Sequence, residues 1–300
     1  MQCWMRLRSR SNTEVEYRFY LQYEFSMTAR LSIPAFLLLT MLALACHRAE
    51  PAPVANTDVF DTQVAMRTMF GNFDPVIKSS LSQVPPDVSA TSPNFEQGAE
   101  IRVRPFFVQE VNENGTRRVY VLTWAKPAGQ PFDCKGCAPL ISAAVFTPGP
   151  EGWKPESIGR AVLTFGDFGK PPEPSLMKIG PQARAFLLRV TSVQERTTVA
   201  EALLVPWKGV VQEAMRTVVA DSNQGNCGGA YPCFSNEREL QLVPGADPQY
   251  NDIVLTLTGT DLPQNPPYKL RRVSGTERLQ FHDGKYVHVE RQGDTISAEE

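Results

Sequence analysis

Residues 101–125 read IRVRPFFVQEVNENGTRRVYVLTWA, two apolar-rich runs on either side of Asn114-Gly115. An Asn-Gly pair between alternating apolar residues is the strongest short signal for a β-hairpin, because both residues tolerate the positive φ that a tight hairpin turn requires. A two-residue turn would place Phe107 opposite Leu122 on one face. Apolar residues occupy the other face as well, so the hairpin is predicted to be covered on both sides.

Short apolar runs separated by turn residues continue this pattern along the chain. The 25 prolines and 20 glycines are spread throughout, which interrupts long helices and favours short strands. Asp283-Gly284 is a second hairpin signal and predicts that Phe281 pairs with Tyr286. Residues 210–219 fit a strand or a helix, and periodicity alone does not decide between them. The other predicted strands are 101–112, 116–125, 140–146, 161–165, 185–191, 197–205, 237–243, 252–259, 278–282 and 285–290.

About ten strands joined by turns predict a mainly β fold: an antiparallel multi-stranded sandwich, a barrel or a propeller-like sheet. One or two short N-terminal helices are expected before the sheet. The first would follow a cap at one of residues 56–58 and end at Gly71, and the second would run from Asp74 to Leu81. Long amphipathic helices between the strands are missing, which disfavours a doubly wound α/β fold.

The segment 29–46 reads ARLSIPAFLLLTMLALAC and has the organisation of an export signal. One basic residue precedes an apolar run, and small residues precede the final cysteine. The run falls short of the roughly 20 apolar residues of a spanning helix and contains Pro34. Leu42-Ala43-Leu44-Ala45-Cys46 resembles the lipobox of bacterial lipoprotein precursors, with Ala43 where that family usually has leucine. A plain secretory signal is the alternative.

The resemblance implies that the Cys46 thiol receives a diacylglyceryl group, that the leader is removed, and that the new N-terminus is acylated. Two or three long chains make membrane attachment effectively permanent. The membrane is therefore the expected partner, through the lipid on Cys46, and an envelope protein is a second candidate. In the sorting pattern of such lipoproteins, His47 in place of an aspartate favours the outer membrane, facing the periplasm.

The chain is expected to have four parts. Residues 1–26 mix acidic, basic and aromatic side chains, unlike the short basic start of a signal, so translation is expected to begin at Met27; a genuine long leader is the alternative. Residues 27–45 form the signal peptide, and 46–57 form the lipidated cysteine and a proline-bearing tether. Residues 58–300 are expected to form a single β-rich globular domain, with a possible subdivision near residue 150.

Charge and motifs narrow the function without assigning it. The formal net charge of −2 gives no basic field, so no nucleic-acid partner is expected. The sequence has no nucleophile elbow, zinc-protease motif, phosphate-binding glycine loop or calcium loop, so no catalytic residue, metal ligand or cofactor is assigned. These observations favour a non-catalytic binding or structural module over an enzyme. A hydrolase that uses only carboxylates is an alternative, and it would need a pocket with paired Asp or Glu.

The cysteines after Cys46 are the most informative side chains. An exported protein faces an oxidising compartment, so two disulfides are expected. Four cysteines allow three pairings, and the two local ones are favoured because each pair lies in a turn-rich loop. The Cys-x-x-Cys pair also resembles the redox motif of thioredoxin-like proteins, which makes a thiol–disulfide oxidoreductase the alternative function; a four-cysteine zinc site is a further alternative. The four residues are Cys134, Cys137, Cys227 and Cys233.

Histidine is scarce. Beyond the predicted tether the sequence contains only His282 and His288. The register set by Asp283-Gly284 pairs Leu279 with His288. It places the two histidines on opposite faces of the last hairpin, so they are not expected to share a metal ion.

Overall fold

The computed structural model describes residues 59–86, 88, 94–113, 115–228, 231–262 and 269–293. Cys46, His47 and the rest of the predicted signal and tether lie outside these ranges. Among the residues that the structure describes, 64% lie in strands, which confirms the predicted mainly β fold class. The elements are helix α1 (Thr62–Phe70) and strands β1 (Ser80–Gln83), β2 (Glu100–Glu113), β3 (Thr116–Pro127), β4 (Leu140–Gly149), β5 (Gly152–Thr164), β6 (Glu173–Lys178), β7 (Arg184–Val193), β8 (Thr197–Trp207), β9 (Val210–Ser222), β10 (Ser235–Pro244), β11 (Asn251–Asp261), β12 (Arg271–His282) and β13 (Lys285–Gly293).

The strands form one branched sheet. Its three segments are β1–β5, β6–β9 and β10–β13. Hydrogen-bonded neighbours run in the order β1-β2-β3-β4-β5-β9-β10-β11-β12-β13, and β8, β7 and β6 branch from β9. All named pairs are antiparallel except β5 and β9, which touch in parallel at Ile158 and Val210. Among the described strands the path does not close on itself, so the sandwich-like arrangement fits and a closed barrel does not.

The segment β6–β9 contributes to two cores. Leu204 packs in a cluster with Leu122 and other residues of β3 and β4. Its neighbour Leu203 packs in a second cluster with Leu255 and other residues of β11, β12 and β13. Successive side chains of a strand point to opposite faces, so the uninterrupted apolar run of β8 serves both cores.

Helix α1 packs on another part of the sheet. Its buried residues Ala65 and Met69 share a cluster with Val119 and Phe146 of β3 and β4. Asp61, rather than one of residues 56–58, caps the helix: its Oδ1 accepts a hydrogen bond from the Gln63 N–H at 2.8 Å. Gly71 ends the helix as predicted, with φ 77°, a left-handed conformation that glycine adopts without strain.

The second predicted helix, over residues 74–81, is wrong. Asp74 Oδ1 accepts hydrogen bonds from the N–H groups of Val76 and Ile77, at 2.8 and 3.3 Å. The backbones of Asp74 and Ser79 bond to each other in both directions, so the segment closes a tight loop that leads into β1. Lys78 has φ 49°, a left-handed conformation that a right-handed helix does not contain, so the chain turns back at this point instead of continuing as a helix.

Both predicted hairpin registers are confirmed. Phe107 pairs with Leu122, and Gly115 has φ 84° at the turn, whose other residue lies outside the described ranges. Phe281 pairs with Tyr286 in the last hairpin, and Leu279 pairs with His288. Burial on both faces holds for the middle of β3 but not for the outer half of β2, which is largely exposed.

Residues 210–219 are part of a strand, β9, which settles the choice that periodicity left open. Strands β1, β6 and the first part of β5 were not predicted, because polar residues or proline interrupt their apolar pattern.

Candidate ligand-binding cavity

A cavity of about 380 Å³ lies where β3, β4 and β5 meet the start of β7, the end of β8 and the loop between β10 and β11. One part of its wall is charged and includes Arg118, Glu156 and Arg184. Another part is apolar and includes Pro206 and the ring of Tyr250. The volume lies within the range of about 300–1,000 Å³ that is common for small-molecule sites.

A buried carboxylate beside the cavity organises its charged wall. The side chain of Glu113 is only 7% exposed, and its Oε2 lies 2.7 Å from Arg118 Nη1. Its Oε1 lies 2.8 Å from Arg184 Nε and 3.3 Å from the Tyr120 hydroxyl. An ionised carboxylate only accepts hydrogen bonds, and a buried one is costly unless it is paired. Glu113 therefore fixes side chains from β3 and β7 in one place.

Arg118 extends this network to a second carboxylate. Its Nε donates a hydrogen bond to Glu156 Oε2 at 2.8 Å, while its Nη1 reaches Glu113. The hydrogen bond to Glu156 is the largest cause that raises the pKa of Arg118 above its usual range. Two arginines and two glutamates thus make a charge-balanced group, which we call the Glu113 network (Glu113, Arg118, Glu156, Arg184).

Tyr120 contributes a hydroxyl donor and an aromatic wall. Burial is the largest cause that raises its pKa, and the negative charge of Glu113 adds to it. The hydroxyl therefore stays protonated at neutral pH and can donate to Glu113. Its ring packs edge-on against Phe186 of β7, with the ring centroids 5.5 Å apart. The same side chain thus joins the cavity to the core.

The loop that closes the cavity depends on a close backbone approach at Gly180. A Cβ atom built on Gly180 would lie 1.9 Å from the carbonyl oxygen of Gln249. The Asn251 N–H donates to the Ile179 carbonyl at 2.7 Å and holds the two segments together. A residue larger than glycine would therefore push away the wall that carries Tyr250.

The ring of Tyr250 packs against two other aromatic rings. Its ring stacks on Phe281 with centroids 3.9 Å apart, and Trp207 meets it edge-on at 5.6 Å. Such contacts fix ring orientation as well as burying apolar area. The apolar wall is therefore rigidly placed by residues of β8 and β12.

Charged atoms of the Glu113 network remain available to a ligand. Arg184 lines the cavity, its closest contact with Glu113 is the 2.8 Å distance from Nε to Oε1, and its side chain is 29% exposed. Within the described part of the chain, Arg118 is the partner of Glu156 and engages Oε2, which leaves Oε1. The cavity therefore offers one cationic and one anionic group to a small molecule.

The arrangement of Glu113 and Glu156 is less suited to acid–base catalysis than to binding. The two carboxylates beside the cavity, Glu113 and Glu156, both accept hydrogen bonds from Arg118. A carboxylate pair in a hydrolase needs one member to deliver a proton and the other to attack or to activate water. Glu113 does not line the cavity and its side chain is only 7% exposed, so it is poorly placed to act on a bound molecule, and the geometry suits binding better than hydrolysis.

The cysteines form the two local disulfides that the sequence favours, Cys134–Cys137 and Cys227–Cys233. None of the four lines the cavity. The first pair lies in a turn that is docked on a neighbouring loop, where the Gly169 N–H donates to the Cys137 carbonyl at 2.8 Å. Strand β4 follows the turn, in place of the helix whose N-terminus activates the cysteine of a redox motif.

The second disulfide loop is tied to the β7–β8 hairpin. Asn226 Nδ2 donates to the carbonyl oxygens of Gln194 and Glu195, at 3.0 and 3.1 Å. Asn223 accepts a hydrogen bond from the Phe234 N–H at 2.8 Å on the other side of the loop. These bonds, together with the disulfide, indicate a stapled structural turn.

The histidines lie apart from the cavity network. His288 Nδ1 is 3.2 Å from Glu277 Oε2, whereas His282 is 74% exposed and lies beside Asp283. In the ranges that the structure describes, no three His, Cys, Asp or Glu side chains are grouped to hold a metal ion. Over the same ranges, no helix has the length and apolar character to cross a bilayer. The predicted lipidation site, Cys46, lies outside them.

Sequence patterns did not identify the Glu113 network. Glu113 and Arg118 flank the Asn-Gly turn, so the hairpin register was a signal for their proximity. Arg184 comes from another segment of the sheet, and no local pattern points to it. No protein-family model, curated protein or solved structure matches this chain. The candidate site therefore rests on its own geometry.

Proposed function

We propose that this protein is a lipid-anchored component of the bacterial cell envelope whose β-rich part is a non-catalytic binding module. The Glu113 network and the cavity beside it would form the ligand site. The observation that supports binding is that Arg184 and Glu156 line a cavity of ligand size and have side chains that are 29% and 36% exposed. The lipobox around Cys46 supports the anchor, and His47 favours the outer membrane. An envelope protein is the further candidate partner.

The anchor is tested by membrane fractionation of cells that express the full chain. Cys46→Ala should move the protein from the membrane fraction to the soluble fraction, because the acyl chains supply the attachment. Cys3→Ala is the matched control and should stay with the membrane, since Cys3 precedes the expected start at Met27. The N-terminal mass of the membrane form should be that of a lipidated Cys46. A Cys46→Ala protein that remains in the membrane fraction would contradict the anchor.

Binding is tested by thermal unfolding with a library of amino acids, peptides, sugars, nucleotides and organic acids. A ligand at about 100 times its Kd stabilises the folded state by about 2.7 kcal/mol, which is a readily measured shift in Tm. Glu156→Gln removes a cavity charge whose side chain is already partly exposed, and it should abolish the shift for the true ligand. The binding proposal fails if no compound stabilises the wild type more than this variant.

A further inference from the structure

We infer that the ligand of the cavity is a small zwitterion, an amino acid or a dipeptide with an apolar side chain. This inference rests on the proposed function and names the chemical class that the site would take. It follows from the charge balance of the Glu113 network, from the apolar part of the cavity wall, and from the size of the cavity.

The charge balance favours a ligand with no net charge. Glu113 and Glu156 carry two negative charges, and Arg118 and Arg184 carry two positive charges. A ligand with one net charge would disturb that balance in a partly desolvated place, where an unpaired charge is costly. A zwitterion preserves the balance, because its carboxylate can pair with Arg184 and its ammonium with Glu156.

Arg184 is suited to bind a carboxylate. It lines the cavity, and its closest contact with Glu113 is the 2.8 Å distance from Nε to Oε1. Two parallel N–H groups of a guanidinium bind the two oxygens of a carboxylate in a fork-like pair, which fixes orientation as well as charge. The side chain is 29% exposed, so a ligand in the cavity can reach it.

Glu156 is suited to the opposite end of the ligand. Arg118 donates its hydrogen bond to Oε2 of Glu156, so Oε1 remains available as an acceptor. The Glu156 side chain is 36% exposed. An ammonium group has three donors and no acceptor, so it needs an acceptor of this kind. Within the network, Glu156 is linked to Arg184 through Arg118 and Glu113.

The remaining wall selects the body of the ligand. Pro181, Pro206 and Pro248 present no side-chain donor or acceptor, and Tyr250 adds an aromatic face. An apolar side chain gains free energy when this surface is removed from water, at about 25 cal/mol per Å². A volume of about 380 Å³ suits an amino acid or a dipeptide better than a longer peptide.

The experiment is isothermal titration calorimetry at pH 7 and low salt, with leucine and the dipeptide Ala-Leu as zwitterionic probes. Three matched peptides remove charges: N-acetyl-Ala-Leu lacks the ammonium, Ala-Leu amide lacks the carboxylate, and the doubly blocked peptide lacks both. We expect Ala-Leu or leucine to bind, and each block to weaken binding by at least about tenfold, since a charged partner is left unpaired. The comparison of leucine with Ala-Leu identifies the length that fits.

Two variants assign the ends. Glu156→Gln should lower the affinity for Ala-Leu and leave the affinity for N-acetyl-Ala-Leu unchanged. Arg184→Gln should lower the affinity for Ala-Leu and leave the affinity for Ala-Leu amide unchanged. Arg271→Gln is the control, because Arg271 pairs with Asp261 and does not line the cavity. Circular dichroism checks that each variant is folded, and Glu156→Gln remains informative if Arg184→Gln does not fold.

The inference is overturned if the blocked peptides bind as tightly as Ala-Leu. It is also overturned if neither zwitterion binds up to about 10 mM while a compound of another class stabilises the wild type and not Glu156→Gln; the proposed binding function then stands with a different ligand. If no compound of any class binds, both proposals fail, and the anchoring experiment still reports separately on the lipid.

Discussion

Arg184 Nε lies 2.8 Å from Glu113 Oε1, although Glu113 ends β2 and Arg184 begins β7. The contact joins the β1–β5 segment of the sheet to the β6–β9 segment at the edge of the cavity. Only 7% of the Glu113 side chain is exposed, so its charge depends on the guanidinium groups of Arg184 and Arg118. One side chain therefore serves both the packing of the fold and the shape of the candidate site.

Glu113→Gln should lower the free energy of unfolding by about 1–3 kcal/mol, because it leaves two partly buried guanidinium groups without their shared carboxylate. Urea unfolding at pH 7 measures the change. Glu110→Gln on the same strand is the control: Glu110 pairs with Arg117 at the surface, where the loss should be about 0–1 kcal/mol. Equal losses in the two variants would contradict the structural role of the Glu113 network.

Gly180→Ala should destabilise the protein and abolish ligand binding, because its Cβ would overlap the Gln249 carbonyl oxygen at 1.9 Å. Gly129→Ala is the control. Gly129 has φ 74° and open space around it, so alanine there costs only backbone strain of about 1–2 kcal/mol. Thermal unfolding of both variants checks this, and a smaller effect at Gly180 than at Gly129 would be inconsistent with the observed loop contact.

The Tyr120 hydroxyl should make stability fall in alkaline solution. Burial raises its pKa in the folded state above the ordinary value of about 10, so its contribution is complete below pH 10 and is lost as the pH rises beyond that value. Comparison of urea midpoints at about pH 8 and pH 11 should show a smaller alkaline loss in Tyr120→Phe than in the wild type. Identical alkaline losses would argue against a buried phenol at this position.

The two disulfides should stabilise the fold without redox activity. Replacing both Cys227 and Cys233 by serine should cost about 2–3 kcal/mol in urea unfolding, as should the corresponding change at Cys134 and Cys137. We expect the Cys134–Cys137 disulfide to stay oxidised in glutathione buffer and to be inactive in insulin reduction, since its loop is docked by backbone hydrogen bonds. Ready reduction by mild thiols, with a low thiol pKa at Cys134, would instead support the oxidoreductase alternative.

Short sequence patterns predicted the elements whose conformation is set by residues close together in the chain. The Asn-Gly and Asp-Gly turns gave the registers of two hairpins, since side-chain alternation leaves one pairing that buries the apolar residues. The strand at residues 210–219 could not be distinguished from a helix, because neighbouring strands rather than its own spacing decide its conformation. The helical spacing of residues 74–81 gave a wrong prediction, because backbone hydrogen bonds between Asp74 and Ser79 close a loop there.

The cavity could not be predicted in the same way. Glu113, Arg118 and Glu156 look like ordinary surface charges in the sequence, and each becomes part of a site only when β3 and β5 lie beside the start of β7. Gly180 is likewise unremarkable until the Gln249 backbone approaches it. Contacts between residues far apart in the chain leave no periodic pattern in the sequence from which they could be predicted.

The sequence by itself determined the β class, the two hairpin registers and the local cysteine pairs, because alternation, turn chemistry and short separations act between near neighbours. It also supplies the expectation of a lipid anchor at Cys46. The tertiary structure decided that β8 packs against two cores and that Glu113 meets Arg184. Those outcomes depend on which faces of the sheet can bury each other and on where a desolvated charge finds its partner.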